Sequence, residues 1–415
     1  MRWSVSALPA LAWLLSACEA CPLGNRRHSV RDATPTNGNH TLWRRVRIGG
    51  GGSGDSAPTT SSLFSVGDGS TPGGCSGQTT TTDAWLNEAL LLHQAVETAY
   101  DSTQSNPRLM LLWMSFFGIK FNNDGSPNTD DAVTEFLWPS IGNSIAAVSQ
   151  FLSGGGLINN PGPGNPWIFC SEAAGEYTPF DQPIKDKDGD YAVTDYYLDE
   201  AGDVVPTEFL KLGQVYPAQA SNSDINAFYM TAFSGYDFDT NGFQTLCGKP
   251  SLYAVTAWPQ ATPNQLVVDE AEIELAQEGR HVLFCPPSFT PGTGAPHSYP
   301  SLAQAVSSGN YPTGNQADLG TSKSMPLDKY MPVSATFYHE LYHLTDSTGI
   351  TFDPYYSLKD VLTAGKNQAG DTYRNPESFA FFALAAYMYL NPPSGAEAIL
   401  FLGGLPYQAS GFNRN

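Results

Sequence analysis

The sequence predicts an α+β protein, mostly helical with a small β-sheet. Three observations carry that expectation. Apolar side chains recur at helical spacing over residues 81–100 and again after Asn375. The middle of the chain, about 154–265, is broken by Gly, Pro and Asn and holds short runs rich in strand formers. In "HELYH", His339 to His343, a glutamate directly follows the first of two histidines four apart, a spacing that puts both on one helix face.

Length and composition bound the rest. The 415 residues, 41% hydrophobic, suffice for one large core or two modest ones. Aromatics at 12% and 71 Gly plus Pro point to a loop-rich globular protein. Charged residues make up 14% and the net charge is -20, so the basic face of a nucleic-acid binder is missing.

Residues 1–20 read as a secretory signal peptide. Arg2 precedes an apolar stretch, Leu8 to Leu15, too short to span a bilayer, and small residues come after it. Cleavage near Ala17 or Ala20 is expected, giving a secreted, extracellular protein. A buried N-terminal helix and a lipoprotein box at "LSAC", Leu15 to Cys18, are the alternatives. No later segment has ~18 uninterrupted apolar residues, so no membrane span is expected.

Residues 21–74 read as a propeptide or a low-complexity linker. Residues 1–47 hold seven of the 20 Lys+Arg but only Glu19 and Asp32 as acids, so the remainder carries -25. Arg44-Arg45 is a candidate processing site, and Gly, Ser and Thr dominate residues 49–74. Asn39-His40-Thr41 is an N-glycosylation sequon.

The folded domain is expected over 75–415. Cys75, Cys170, Cys247 and Cys285 lie beyond the leader, an even number that predicts two disulfides of undetermined pairing. The segment 81–100 places Trp85, Leu86, Ala89, Leu92, His93, Val96 and Ala99 on one helical face, with Thr82 or Asp83 as cap. A second helix covers 134–152, with an interruption expected near Pro139. "DYAVTDYY" and "SLYAVTAW" read as short strands, and "HVLFC", ending at Cys285, as a buried one. A last helix opens at Asn375-Pro376 and runs to Asn391, apolar nearly all round and therefore buried.

HExxH is a specific signal. Random placement in a chain of this composition would give it roughly 0.004 times. On a helix, His339 and His343 can reach one metal ion, and Zn²⁺ accepts neutral imidazole nitrogen. Glu340 can then act as general base and acid toward a metal-activated water. A third ligand is required, and no histidine follows His343. Asp353, after a Gly-containing turn, is placed ahead of Glu377, which also suits the N-terminal dipole of its helix.

The segments "HELYH", "GITFDPYY" from Gly349 and "NPESFAFFA" from Asn375 resemble the aspzincin metallopeptidases, the deuterolysin and lysine-specific metalloendopeptidase group, largely fungal and secreted. The resemblance implies a zincin-like fold with an HExxH active-site helix and Zn²⁺ held by His339, His343 and Asp353. It also implies that Tyr356 donates a hydroxyl to the oxyanion. Ile350 and Ser357 stand where the family has Thr and Gly. The acidic position of the lysine-specific members is Ala380 here, so strict lysine preference is not implied. Glu377 is kept as a substrate-binding residue that would favour a basic side chain. The motif-level likeness covers about 334–391, and about 154–265 reads as long inserted loops.

The expected function is therefore a secreted zinc endopeptidase, a monomer acting on protein or peptide substrates. The rivals are a catalytically silent binding or effector protein of the same fold, and a gluzincin-like peptidase with Glu377 as ligand. Asp237 to Gly242 matches the first half of a calcium loop, but Gly248 stands at its twelfth position. A solvated acidic turn is the reading preferred there and at Asp186 to Asp190.

Overall fold

The computed structural model describes residues 57–412 apart from 159–163, 241, 258–264, 269–270, 275–278, 291–297, 319–320, 322 and 347–350. The leader, the sequon, the paired arginines, Gly349, Ile350 and Asn241 lie outside the described residues. The chain is α+β, as the sequence predicts.

Six helices of eight or more residues are described: α1 Thr79–Ser102, α2 Pro107–Phe117, α3 Ala132–Gln150, α4 Ser334–Thr345, α5 Leu358–Lys366 and α6 Pro376–Leu390. Their main core forms where α1 packs on α4 and α6. All seven residues predicted for the inner face of α1 are buried. Trp113 of α2 stacks on Phe382 of α6 with ring centroids 3.8 Å apart, and Phe379 stacks on Tyr342 of α4 at 4.1 Å. Such ring pairs add directional packing to area burial.

Three local expectations are corrected. Helix α1 starts at Thr79, a turn before the predicted cap. Asp83 instead accepts the Thr60 backbone N–H at 2.6 Å, at the start of a short helix Thr60–Leu63. Leu63 and Phe64 are buried in the main core, and Ser65 bridges to Trp167. Residues 57–74, placed in a linker by their Gly/Ser/Thr content, therefore join the folded body through one apolar pair. Helix α3 runs through Pro139 without interruption. Asp131 caps it by accepting the Thr134 N–H at 3.0 Å, and the Ser140 hydroxyl donates to the Phe136 carbonyl at 2.8 Å beside the proline.

The strands form small sheets. They are β1 Trp167–Phe169, β2 Gly175–Tyr177, β3 Val193–Leu198, β4 Val204–Phe209, β5 Asn226–Met230 and β6 Gly235–Asp239. Then come β7 Ala254–Ala257, β8 Gln265–Val268, β9 Ala271–Glu274, β10 His281–Phe284, β11 Ile399–Leu402 and β12 Leu405–Gln408. The sheet that positions the site has the order β1-β10-β7, with β1 parallel and β7 antiparallel to β10. Buried β10 is its centre, as "HVLFC" predicts, and Phe284 stacks on Phe337 of α4. Strands β2, β5 and β6 form a second sheet, and β3-β4, β8-β9 and β11-β12 are hairpins. Disulfides Cys75–Cys170 and Cys247–Cys285 fasten the ends of β1 and β10.

A buried polar chain joins three helices behind α4. The Tyr338 and Tyr342 hydroxyls lie 2.9 Å apart, and His93 Nδ1 lies 3.1 Å from Tyr338. His93 Nε2 is 2.8 Å from the Ser149 hydroxyl of α3. Burial pushes the His93 pKa from 6.5 down to about 3, against a smaller opposing contribution from the Ile145 carbonyl. Between about pH 6.5 and 3 the unfolded chain therefore binds a proton that the folded one refuses. Stability should fall with falling pH in that window, by at most ~1.4 kcal/mol per pH unit from this group. Urea unfolding at stepped pH should show a shallower acid loss for His93→Gln than for the parent. Equal slopes would mean that His93 does not carry the effect.

Candidate metal centre

Helix α4 supplies the first half of the site. Of its twelve residues all but His343 are buried, so the helix is packed on all sides. The i and i+4 spacing turns both imidazoles the same way, and their Nε2 atoms stand 3.2 Å apart. The chain then returns so that Asp353 faces them. Asp353 Oδ2 lies 3.1 Å from His343 Nε2 and Oδ1 3.3 Å from His339 Nε2. Among the described residues this trio is the group of His, Cys, Asp or Glu side chains close enough to share one metal ion.

The donor set fits a metal. Metal–ligand bonds of about 2.0–2.1 Å in a tetrahedron leave ligand atoms about 3.3 Å apart; the two Nε2 atoms, and each Nε2 with the carboxylate oxygen nearest it, stand close to that separation. Asp353 Oδ1 is buried without a hydrogen-bond partner, so it has an unused lone pair turned inward. The outer ring nitrogens are already engaged. His339 Nδ1 lies 2.9 Å from Glu377 Oε2, and His343 Nδ1 3.1 Å from the Thr351 hydroxyl. Such contacts fix the tautomer with the inner Nε2 lone pair facing the ion. The Thr351 N–H donates in turn to Asp346 Oδ2 at 2.6 Å, which ties Thr351 to the end of α4.

Electrostatics agree. Burial works against charge on His339, but Asp353 and Glu377 outweigh it and hold the imidazole pKa well above its usual value. Burial would raise the Asp353 pKa, yet both imidazoles hold it below the usual carboxylate range. The site thus favours positive charge between these side chains, and a divalent cation binding there would displace protons.

Each predicted residue can be located. His339, His343 and Asp353 converge. Glu340 lies in the same turn, 5% exposed. The Tyr356 hydroxyl donates to Asp353 Oδ2 at 3.1 Å while 67% of the residue is exposed, and burial of the hydroxyl together with Asp353 raises its pKa. Glu377 sits behind His339 on the Nδ1 side, outside the converging trio. That placement puts it in position to orient His339 and outside the group that could hold the ion.

Sequence reasoning missed Thr256. Its hydroxyl donates to Glu340 Oε2 at 2.7 Å from strand β7. Nothing local marks it, because the two residues are 84 apart and meet only when β7 packs on α4. Sequence reasoning expected Asn375 only as the cap of α6. That side chain is buried and, rather than capping α6, donates to the Tyr355 carbonyl at 3.2 Å, holding the segment after Asp353.

Glu377→Gln should weaken metal binding by roughly 10- to 100-fold. Asp353→Ala should abolish it at micromolar metal. Competition against a chromogenic chelator measures both. An Asp353→Ala protein that keeps stoichiometric metal would move the ligand role to another acid.

No protein-family model matches the chain. No solved structure matches it either. A curated relative, the non-secreted LysM effector LysM17 of Penicillium expansum, is 36% identical over 137 residues. The match covers 32% of this chain, and the chain spans only 17% of that relative's length.

Proposed function

We propose that this chain is a zinc-dependent endopeptidase with a zincin-like fold, secreted and acting on proteins or peptides. One observation carries the reading: two imidazoles and a carboxylate converge within bonding reach of one ion, with Glu340 beside them. Imidazole plus carboxylate suits zinc among the common divalent ions. When bound, the ion supplies Lewis acidity, polarising a carbonyl and lowering the pKa of a water molecule to about 7.

The protein's own groups supply the rest. Thr256 holds Glu340 Oε2 and leaves Oε1 to take a proton from the attacking water. Glu340 then delivers that proton to the leaving amine nitrogen. The exposed Tyr356 side chain offers its hydroxyl to the oxygen on which negative charge develops. Glu377 and Thr351 hold the imidazoles in place throughout.

Two disulfides support passage through an oxidising compartment. Among the described residues no helix is long and apolar enough to cross a membrane. A second reading, an effector of this fold without turnover, is favoured by the name of the partial relative.

Glu340→Gln decides between them. It should keep its zinc, measured by plasma emission spectrometry, and lose casein hydrolysis by roughly 10²–10⁴-fold. A parent protein with full zinc and no chelator-sensitive proteolysis supports the silent effector instead. Thr256→Val should lower kcat by about tenfold or more with zinc content unchanged, and Thr256→Ser should restore it. An active Thr256→Val protein would remove Thr256 from the orienting role.

A further inference from the structure

Eleven large apolar side chains are exposed among the described residues, and five of them lie between Tyr191 and Val204. Four of these five lie on the hairpin of β3 and β4, and Tyr191 stands just before it. Its root is fixed: the Leu210 N–H donates to the Ala192 carbonyl at 2.9 Å and the Ile184 N–H to the Leu210 carbonyl at 2.8 Å. Beyond that root the two strands pair only with each other. A two-stranded ribbon with nothing against it is marginal in water, so its apolar content needs a reason.

The register shows how the side chains are sorted. Tyr196 pairs with Pro206 and Leu198 with Val204. These four share one face by the two-residue period of a strand. Tyr196, Leu198 and Val204 are 62, 62 and 63% exposed, and Pro206 is exposed as well. Acids flank the apolar positions in sequence: Asp195 and Glu208 on the strands, and Asp199, Glu200 and Asp203 at the turn, where Asp199 Oδ1 accepts the Ala201 and Asp203 N–H groups; residues 193–209 contain no Lys, Arg or His. Strand β4 carries Pro206, which has no N–H to give, so the outer edge of β3 is the less blocked of the two, although its Tyr196 N–H donates to Asp195 Oδ1 at 2.8 Å and its register shifts between Val193 and Tyr196.

We propose that this hairpin is a docking arm for an extended, cationic polypeptide segment, which adds as a strand beside β3. Main-chain hydrogen bonds to the β3 edge would supply affinity, the Tyr196 N–H exchanging Asp195 Oδ1 for a carbonyl of the incoming strand and so freeing that carboxylate for a cation. Alternate apolar side chains would cover Tyr196 and Leu198, and Lys or Arg between them would meet the acidic rim. The charge disfavours other occupants. A second copy of a chain carrying -20, an anionic membrane and a nucleic acid would all be repelled. A sugar needs a flat aromatic platform, but adjacent Tyr196 and Tyr197 point to opposite faces. The arm does not depend on the metal centre, so its binding is independent of the peptidase reading.

Isothermal titration of the full chain with a capped, alternating Lys-Val octapeptide tests it. Saturable binding is expected at ~50 mM salt and its loss at ~500 mM. The paired change Leu198→Ser with Val204→Ser should weaken binding by roughly tenfold or more. Glu200→Gln with Glu208→Gln should weaken it too and flatten the salt dependence, without touching the apolar face. A Glu-Val octapeptide should not bind. The proposal is overturned if that peptide binds equally, or if neither pair of substitutions changes affinity. It is also overturned if Leu198→Ser with Val204→Ser instead abolishes self-association in sedimentation or binding of a chito-oligosaccharide. The heat measured does not require hydrolysis, so an inactive metal centre leaves the result interpretable.

Discussion

The fixed rotation of helix α4 is the constraint on which the rest depends. Two histidines can meet one ion only if the helix holds both on the same side, and a small roll would separate them from Asp353. The fold prevents that roll from two directions. On the site face, Glu377 and Thr351 engage the outer nitrogens of the imidazoles. On the far face, Tyr338 and Tyr342 form a buried chain with His93 and Ser149 that ties α4 to α1 and α3. Aromatic stacking of Phe337 on Phe284 and of Tyr342 on Phe379 fills the remaining sides. Cores are packed densely enough that such a clamp transmits little slack.

Much of this was legible in the sequence where the controlling interaction is local. The HExxH spacing, the apolar face of α1, buried β10 and the Asn375-Pro376 start of α6 all depend on neighbours within a few residues. Asp353 was readable because it lies only ten residues beyond His343. Helices α2 and α5 carry the same kind of signal, although the sequence expectations omit both. Asn106 caps α2 ahead of Pro107, and Ser357 caps α5.

The failures have a common cause. Asp83 looks like the cap of its own helix, but tertiary packing gives its carboxylate to Thr60. Leu63 and Phe64 sit in a stretch whose composition says linker, and composition averages away a single buried pair. Glu377 matches both a ligand and a dipole partner by position. Only the return of Asp353 to the inner nitrogens leaves Glu377 the outer one. Thr256 is an ordinary strand residue until β7 is laid against α4.

The contact between Thr256 and Glu340 bridges 84 residues, whereas the metal-binding trio closes within a short loop. Closing a long loop carries more entropy cost than closing a short one. The two contacts thus answer to different parts of the polypeptide. The trio needs α4, the segment after it and Glu377 behind His339. The bond to Glu340 needs strand β7 as well, brought in from the central region whose disulfide closes the end of β10. On the proposed reading, loss of that region would remove the partner that aims the base and, with Phe284, part of the packing that holds the ligand helix.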